Sequence, residues 1–274
     1  MIQPHDIGAH RFGHQAMATE FEIFCVHPDR DYAQQAAWAA FDLLDRLESE
    51  LSRFLENSDI ARINSLRAGE TTRVSSWTMD CLQLARHAHQ ETGGAFDISL
   101  GTGLHSLHLV ERDRTVCATA EGVRLDLGGM GKGYAVDRMA EVLLEWDIPQ
   151  ALLHGGHSSV LAMDAPPGFD GWPLTMHGAE VQACQSVYSA SGTRKGDHIV
   201  DPRTGQPVTS RQAAWASAKW QGGPSPSAVV EAFSTAFMIL PAEEIAAICA
   251  RHPGLTAWVS PNELRTTLCV QNSH

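Results

Sequence analysis

The chain has 274 residues, long enough to bury a substantial core, and its 43% hydrophobic content is that of an ordinary globular protein. Twenty basic residues against 32 acidic ones leave a formal charge of -12 with no basic run, which argues against a nucleic-acid backbone or an anionic membrane as the main partner. No apolar stretch reaches the ~18 residues of a membrane span, and the six scattered cysteines form no Cys-x-x-Cys pair, which argues against zinc ribbons and thioredoxin-like redox chemistry.

The opening MIQPHDIGAHRFGHQ lacks the apolar centre of a signal peptide, so the expectation is a cytoplasmic chain, or one whose leader has been left off. Glu20–Val26 reads as a strand. Asp31 to about Leu51 reads as a helix, with Ala37, Phe41, Leu44, Leu47 and Leu51 at helical spacing and Glu48 and Glu50 expected to face water. Trp77–Thr92 is a second helix, closed by Gly93-Gly94. Val123–Leu127 is expected to be a strand, followed by a Gly-rich turn and a helix over Lys132–Trp146. Gln150–His154 and Ser159–Met163 are expected as two strands around Gly155-Gly156, and Ala165–Trp172 as a loop. Val187–Ala190 and His198–Val200 read as strands, and Trp215–Pro226 as a Gly/Pro/Ser-rich connection. Ser227–Leu240 is an apolar helix with Ser227 as its N-cap. Pro241 opens a further helix ending near Pro253-Gly254, and Thr256–Val259 is a late strand. The order lacks a strict β-α-β alternation, which predicts an α+β fold. Neither a repeat nor a linker divides the chain, so residues 1–274 are expected to form one domain. The cysteines are expected to be buried small apolar residues, and most of the 14 histidines surface or satisfied core residues.

The most informative segment is Leu125-Asp-Leu-Gly-Gly-Met-Gly-Lys-Gly-Tyr-Ala-Val-Asp137. Four glycines and one lysine stand between an apolar run and a helix start. Glycine lets backbone amides come close to a ligand, and a helix N-terminus favours negative charge, so the pattern suits a phosphate. It is not a P-loop, because Asp126 stands where the first Gly belongs and Gly133 replaces the hydroxyl residue. Nor does it fit the dinucleotide fingerprint. The plainer reading is a tight turn with an exposed lysine. Downstream, Glu231 and Thr235 are one helical turn apart and share a face, and their carboxylate and hydroxyl are hard oxygen donors suited to Mg²⁺. The plainer reading there is a Glu near a helix N-terminus and a Thr bonded to its own backbone.

Further segments stand in order around these. They are Met17-Ala-Thr19, Ser52-Arg-Phe54 with Ser58 and Ile63-Asn64, Gly94-Ala-Phe-Asp97-Ile, and Ser189-Ala-Ser-Gly192 followed by His198-Ile-Val-Asp-Pro-Arg-Thr-Gly205. Together with the Gly-rich turn and the Glu231–Thr235 helix, this order resembles the ApbE family of FAD:protein FMN transferases, from about residue 12 to about residue 240. The resemblance implies a single large T-fold-related α+β domain with mixed sheets and flanking helices. It implies cleavage of the FAD pyrophosphate and transfer of FMN to a Thr or Ser hydroxyl of an acceptor flavoprotein, with AMP released and Mg²⁺ required. Hydrolysis of FAD to FMN and AMP, and FAD binding without catalysis, are the alternatives.

Carried over residue by residue, the resemblance implies a metal held by Glu231, Thr235 and the carbonyl of Gly129. Lys132 and Asp126 match FAD-contacting positions. Met17, Phe54, Ala95, Phe96, Asp97 and Ile199 match positions around the flavin or adenine end. His198 matches the histidine of the family's His-x-x-Asp-Pro motif and is the candidate general base for the acceptor hydroxyl. Two positions depart from the family. Glu231 stands where Asp is usual, one methylene longer, and His157 follows Gly155-Gly156 where Asp is common.

Overall fold

The computed structural model describes residues 7–176, 178–193, 199–220, 225–261 and 268–270. In chain order the first elements are β1 (His10–Ala16), β2 (Thr19–Cys25), α1 (Arg30–Leu51), α2 (Asp59–Asn64), β3 (Thr71–Arg73) and α3 (Ser76–Glu91). Next come β4 (Leu107–Val110), β5 (Thr115–Ala118), α4 (Gly131–Glu145), β6 (Ala151–Gly155), β7 (Ser159–Ala162), β8 (Trp172–Met176) and β9 (Ala179–Ala183). The last are β10 (Ser186–Gly192), β11 (Val200–Asp201), β12 (Gln206–Pro207), β13 (Arg211–Lys219), α5 (Pro226–Phe237), α6 (Ala242–Arg251), β14 (Thr256–Pro261) and β15 (Leu268–Val270).

Eight strands form the main sheet in the order β1-β2-β6-β7-β10-β13-β14-β15, with antiparallel pairing throughout. Helices α1, α4 and α5 pack against this sheet and bury one large apolar core. The other face carries a smaller cluster under the β8–β9 hairpin, where Trp172, Leu152, Ala162 and Ala183 are buried. The fold is α+β, as the element order predicts. Among the described residues no helix is long and apolar enough to cross a membrane. Cys25, Cys81 and Cys249 are buried as expected, whereas Cys184 is exposed.

Several expectations need correction. Val123–Leu127 is not a strand and joins no sheet. The Asn64 side chain supplies its partner instead: Leu125 N–H donates to Asn64 Oδ1 (2.6 Å) and Asn64 Nδ2 donates to the Leu125 carbonyl (3.0 Å). Asp126 N–H donates to the Ile98 carbonyl (2.7 Å). The alternating burial of Val123, Leu125 and Leu127 produced the strand-like pattern. Trp215–Lys219 is not a connection but the second half of β13, which pairs with β10 and β14 in the middle of the sheet. Glu48 does not simply face water, since its carboxylate accepts from Met17 N–H (2.9 Å) at the β1–β2 turn. That two-residue turn holds both Met17 and Ala18 at positive φ (49° and 57°), a conformation that L side chains rarely adopt.

Ser227 is not the N-cap of α5. Ser225 takes that place in a left-handed conformation, Pro226 opens the helix, and no side chain of the cap itself closes the end. Asp137 of α4 does so instead: its buried carboxylate accepts from Ser227 N–H (3.0 Å) and Ala228 N–H (3.3 Å). The two helices meet this closely because Gly133 has no side chain. A Cβ there would lie 2.6 Å from the Ser227 carbonyl carbon and 2.8 Å from Ala228 Cα. Gly133→Ala is therefore expected to force α4 from α5 and cost about 1–3 kcal/mol, read as a lowered midpoint in thermal or urea unfolding. An unchanged midpoint would show that the helices part freely.

Candidate functional site

The Gly-rich turn is built from its own backbone. Met130 N–H and Gly131 N–H donate to the Leu127 carbonyl (3.0 and 2.7 Å), and α4 begins at Gly131. The first residues of a helix leave N–H groups without intrahelical partners and carry a partial positive charge. Here an acid from another helix meets them. Glu231 of α5 is 4% exposed; its Oε2 accepts from Gly133 N–H (2.6 Å), and its Oε1 accepts from the Lys132 ammonium. Lys132 also reaches towards the Gly128 carbonyl (3.4 Å). The start of α4 thus holds a buried carboxylate, an ammonium and two glycine peptides within hydrogen-bonding distance of one another.

Thr235 lies on the same face of α5. Its Oγ1 donates to the Glu231 carbonyl (3.2 Å) and stands 3.1 Å from Ser191 Oγ of β10. Ser191 also pairs with Ser234 Oγ (2.9 Å), which donates to Ser189 Oγ (3.3 Å). This hydroxyl ladder ties the middle of α5 to β10. A Cβ at Gly129 would lie 3.6 Å from Thr235 Oγ1 and 3.0 Å from the Phe96 ring, so the Gly129 backbone is pressed between the two. Gly129, Lys132, Glu231 and Thr235 therefore come together across about 100 residues of sequence.

The remaining candidates surround this cluster in different ways. Asp126 accepts from Gly128 N–H (2.9 Å) and pairs with Arg53 Nε (3.0 Å). Arg53 in turn stacks on Phe54, 4.4 Å from its ring centroid, and Phe54 is 78% exposed. Ala95 and Phe96 are buried, so they pack the turn from behind. Asp97 folds back on its own loop, accepting from Ser99 N–H, Ser99 Oγ and Gly101 N–H (2.7–3.0 Å). That loop meets the Asp201-Pro202 turn: a Cβ at Gly101 would lie 2.6 Å from the Pro202 carbonyl oxygen. The Arg203 guanidinium beside Asp201 holds that carboxyl below its ordinary range. Ile199 is buried and its carbonyl accepts from Val208 N–H (2.9 Å). Met17 sits in the β1–β2 turn with its N–H on Glu48 of α1, and its hairpin neighbour Thr19 lies against the Gly155-Gly156 turn. A Cβ at Gly156 would touch Thr19 Oγ1 (2.5 Å) and one at Gly155 would approach Lys132 Cβ (3.4 Å). His198 lies outside the described residues. His157 is exposed and lines a separate cavity on the far face of the sheet.

A cavity of about 420 Å³ opens beside Asp126, lined by Arg53, Asn64, Leu100, Arg124 and Leu125. Its arginines were not among the sequence candidates. Arg53 lies inside the Ser52-Arg-Phe54 segment, but nothing in the sequence joins it to Asp126. Arg124 carried no motif; it is placed by its bond to the Asn64 carbonyl.

The donors around Gly129 are hard oxygens: one carboxylate, one hydroxyl and backbone carbonyls. In Glu231 each carboxylate oxygen accepts one hydrogen bond and keeps a second acceptor site. This set fits a hard divalent cation such as Mg²⁺.

A sequence model of the ApbE family matches residues 17–259. An FAD:protein FMN transferase of Klebsiella pneumoniae is 25% identical over 217 residues, covering 65% of this chain and 69% of that protein. One from Buchnera aphidicola is 21% identical over 273 residues, covering 80% of each. The apo flavinyl transferase ApbE of Pseudomonas stutzeri superposes with a TM-score of 0.83 at 20% identity, over 96% of this chain and 95% of that one. The flavin transferase ApbE of Vibrio cholerae does so with a TM-score of 0.80 at 17% identity, over 95% and 97%. With its sequence matched over that span and its architecture shared nearly end to end, this chain belongs to the ApbE family.

Proposed function

We propose that the chain transfers FMN from FAD to a Thr or Ser hydroxyl of an acceptor flavoprotein, releasing AMP. The observation that supports this reading most is the junction of Lys132, Glu231, Thr235 and Gly129 at the start of α4. An ammonium, a positive helix end and a hard-oxygen donor set are what a diphosphate with a divalent cation requires. The names of the curated relatives point the same way.

In this reading Glu231, Thr235 and the Gly129 carbonyl would hold Mg²⁺, which would supply charge to offset that on the phosphoryl oxygens. Lys132 shares its ammonium between Glu231 and the diphosphate. The hydroxyl ladder Ser189–Ser191–Ser234 fixes Thr235, so its oxygen is held before substrate arrives. Arg53 and Arg124 supply positive charge beside Asp126, in a chain whose overall charge of -12 would otherwise repel a nucleotide. Phe54, exposed and backed by a guanidinium, offers a flat apolar face to a ring. Met17 offers a second apolar wall, Ala95 and Phe96 back the turn, and Asp97 and Ile199 shape its margins. His198 takes the proton of the acceptor hydroxyl as its oxygen attacks the FMN phosphorus. The new P–O bond forms as the bond to the AMP phosphate breaks, and AMP leaves with that oxygen.

Three outcomes test the reading. The full chain is mixed with FAD, Mg²⁺ and an acceptor domain, and two products are followed: flavin fluorescence that survives a denaturing gel, and AMP. Labelled acceptor with AMP is expected, whereas AMP without label would make the chain a hydrolase. Glu231→Ala is expected to lose metal-dependent turnover by about 10²-fold or more, while Glu231→Asp retains or raises it. A Glu231→Ala protein of full activity removes the metal assignment. His198→Ala is expected to bind FAD as the parent does, by fluorescence quenching, and to transfer about 10²–10⁴-fold more slowly; unchanged transfer ends its role as base.

A further inference from the structure

A second group of potential metal ligands stands apart from this site. His87 and Glu91 are one turn apart near the end of α3 and therefore share a face. His252, at the end of α6, comes to meet them. One ligand atom from each lies within 4.8 Å of the other two. His252 Nε2 is 3.1 Å from Glu91 Oε2, and the His87 and His252 rings face edge-on with centroids 6.2 Å apart. Tetrahedral Zn²⁺, bound at about 2.0–2.2 Å by N and O ligands, sets its ligand atoms roughly 3.3 Å apart. The Glu91–His252 edge already has that spacing. The exposed His87 ring can close the remaining gap by rotation. All three residues reach solvent, so an ion can enter and water can complete its shell.

We propose that His87, Glu91 and His252 form a binding site for a borderline divalent transition-metal ion, with Zn²⁺ as the foremost case. Two imidazoles select against Mg²⁺, which prefers oxygen. The site shares no residue with the hard-oxygen cluster around Gly129, so the two select different ions. Arg251 restrains it, because its Nε lies 3.1 Å from the same Glu91 oxygen and its other nitrogen bonds the Glu91 carbonyl (3.0 Å). Metal and guanidinium compete for that oxygen. When bound, the ion would pin the end of α3 to the end of α6. The chain after α3 runs directly into Ala95–Asp97, and His252 packs edge-on against Phe233 of α5 (5.2 Å between centroids). The ion would thus brace two of the elements that carry the flavin site.

The test titrates Zn²⁺ into the chelator-stripped full chain in excess Mg²⁺, by calorimetry and thermal unfolding. One Zn²⁺ per chain is expected, with a raised unfolding midpoint. His87→Ala, at an exposed position that leaves the core intact, should weaken binding at least tenfold and abolish the shift. His252→Gln should do the same, and Arg251→Gln should tighten binding. Absence of Zn²⁺ binding overturns the proposal. So does Zn²⁺ that binds the parent and His87→Ala equally well, since it then sits on other histidines. Flavin transfer is not read in any arm, so failure of the proposed activity leaves this test intact.

Discussion

A buried carboxylate at the start of a helix organises this molecule. Glu231 is anchored by the Lys132 ammonium and by Gly133 N–H. Removing one partner of a buried ion pair strands the other, at a cost of about 3–5 kcal/mol. The arrangement therefore constrains everything that brings α4 and α5 together. Gly133 must lack a side chain, Asp137 must close the start of α5, and the serines of β10 must hold its middle. The sheet's antiparallel order places β10 beneath α5, so the site inherits its geometry from the main core.

The site is also a local reversal of the molecule's charge. An acidic chain attracts no anion by its overall field. Lys132, Arg53 and Arg124 are gathered where the Gly-rich turn exposes its backbone. Acidic partners hold two of them in place: Glu231 for Lys132 and Asp126 for Arg53. Those pairings fix long side chains that would otherwise lose conformational freedom on meeting a ligand.

Much of this was legible in the sequence. The helices α1, α3, α4 and α5 have apolar faces at helical spacing and lie within a few residues of their expected limits. The order of the motifs was legible because each is short and local. What escaped depended on partners distant in sequence. Val123–Leu127 looks like a strand because burial alternates along it, yet its hydrogen bonds go to one asparagine side chain. Strand β13 was hidden because small residues such as Ala213, Ala214 and Ala216 make a weak alternating signal. Strand β1 was hidden by its histidines and glycine. The sequence offers the nearest serine as the cap of α5, whereas the acid that closes it comes from α4. Met17 and Ala18, at positive φ, carry none of the Asn or Gly that usually marks such a turn.

The remote closure of α5 bears on how the protein is assembled. A proline at the first position suits a helix start, but the left-handed serine before it offers no side-chain cap to the first amides. The partner for those amides comes from another helix: an aspartate 90 residues earlier accepts from them. The closed start of the segment bearing Glu231 and Thr235 is thus a non-local feature, and forming it carries the closure entropy of the chain between the two helices. The start of the helix bearing these two residues is therefore completed by the same contact that docks it on its neighbour.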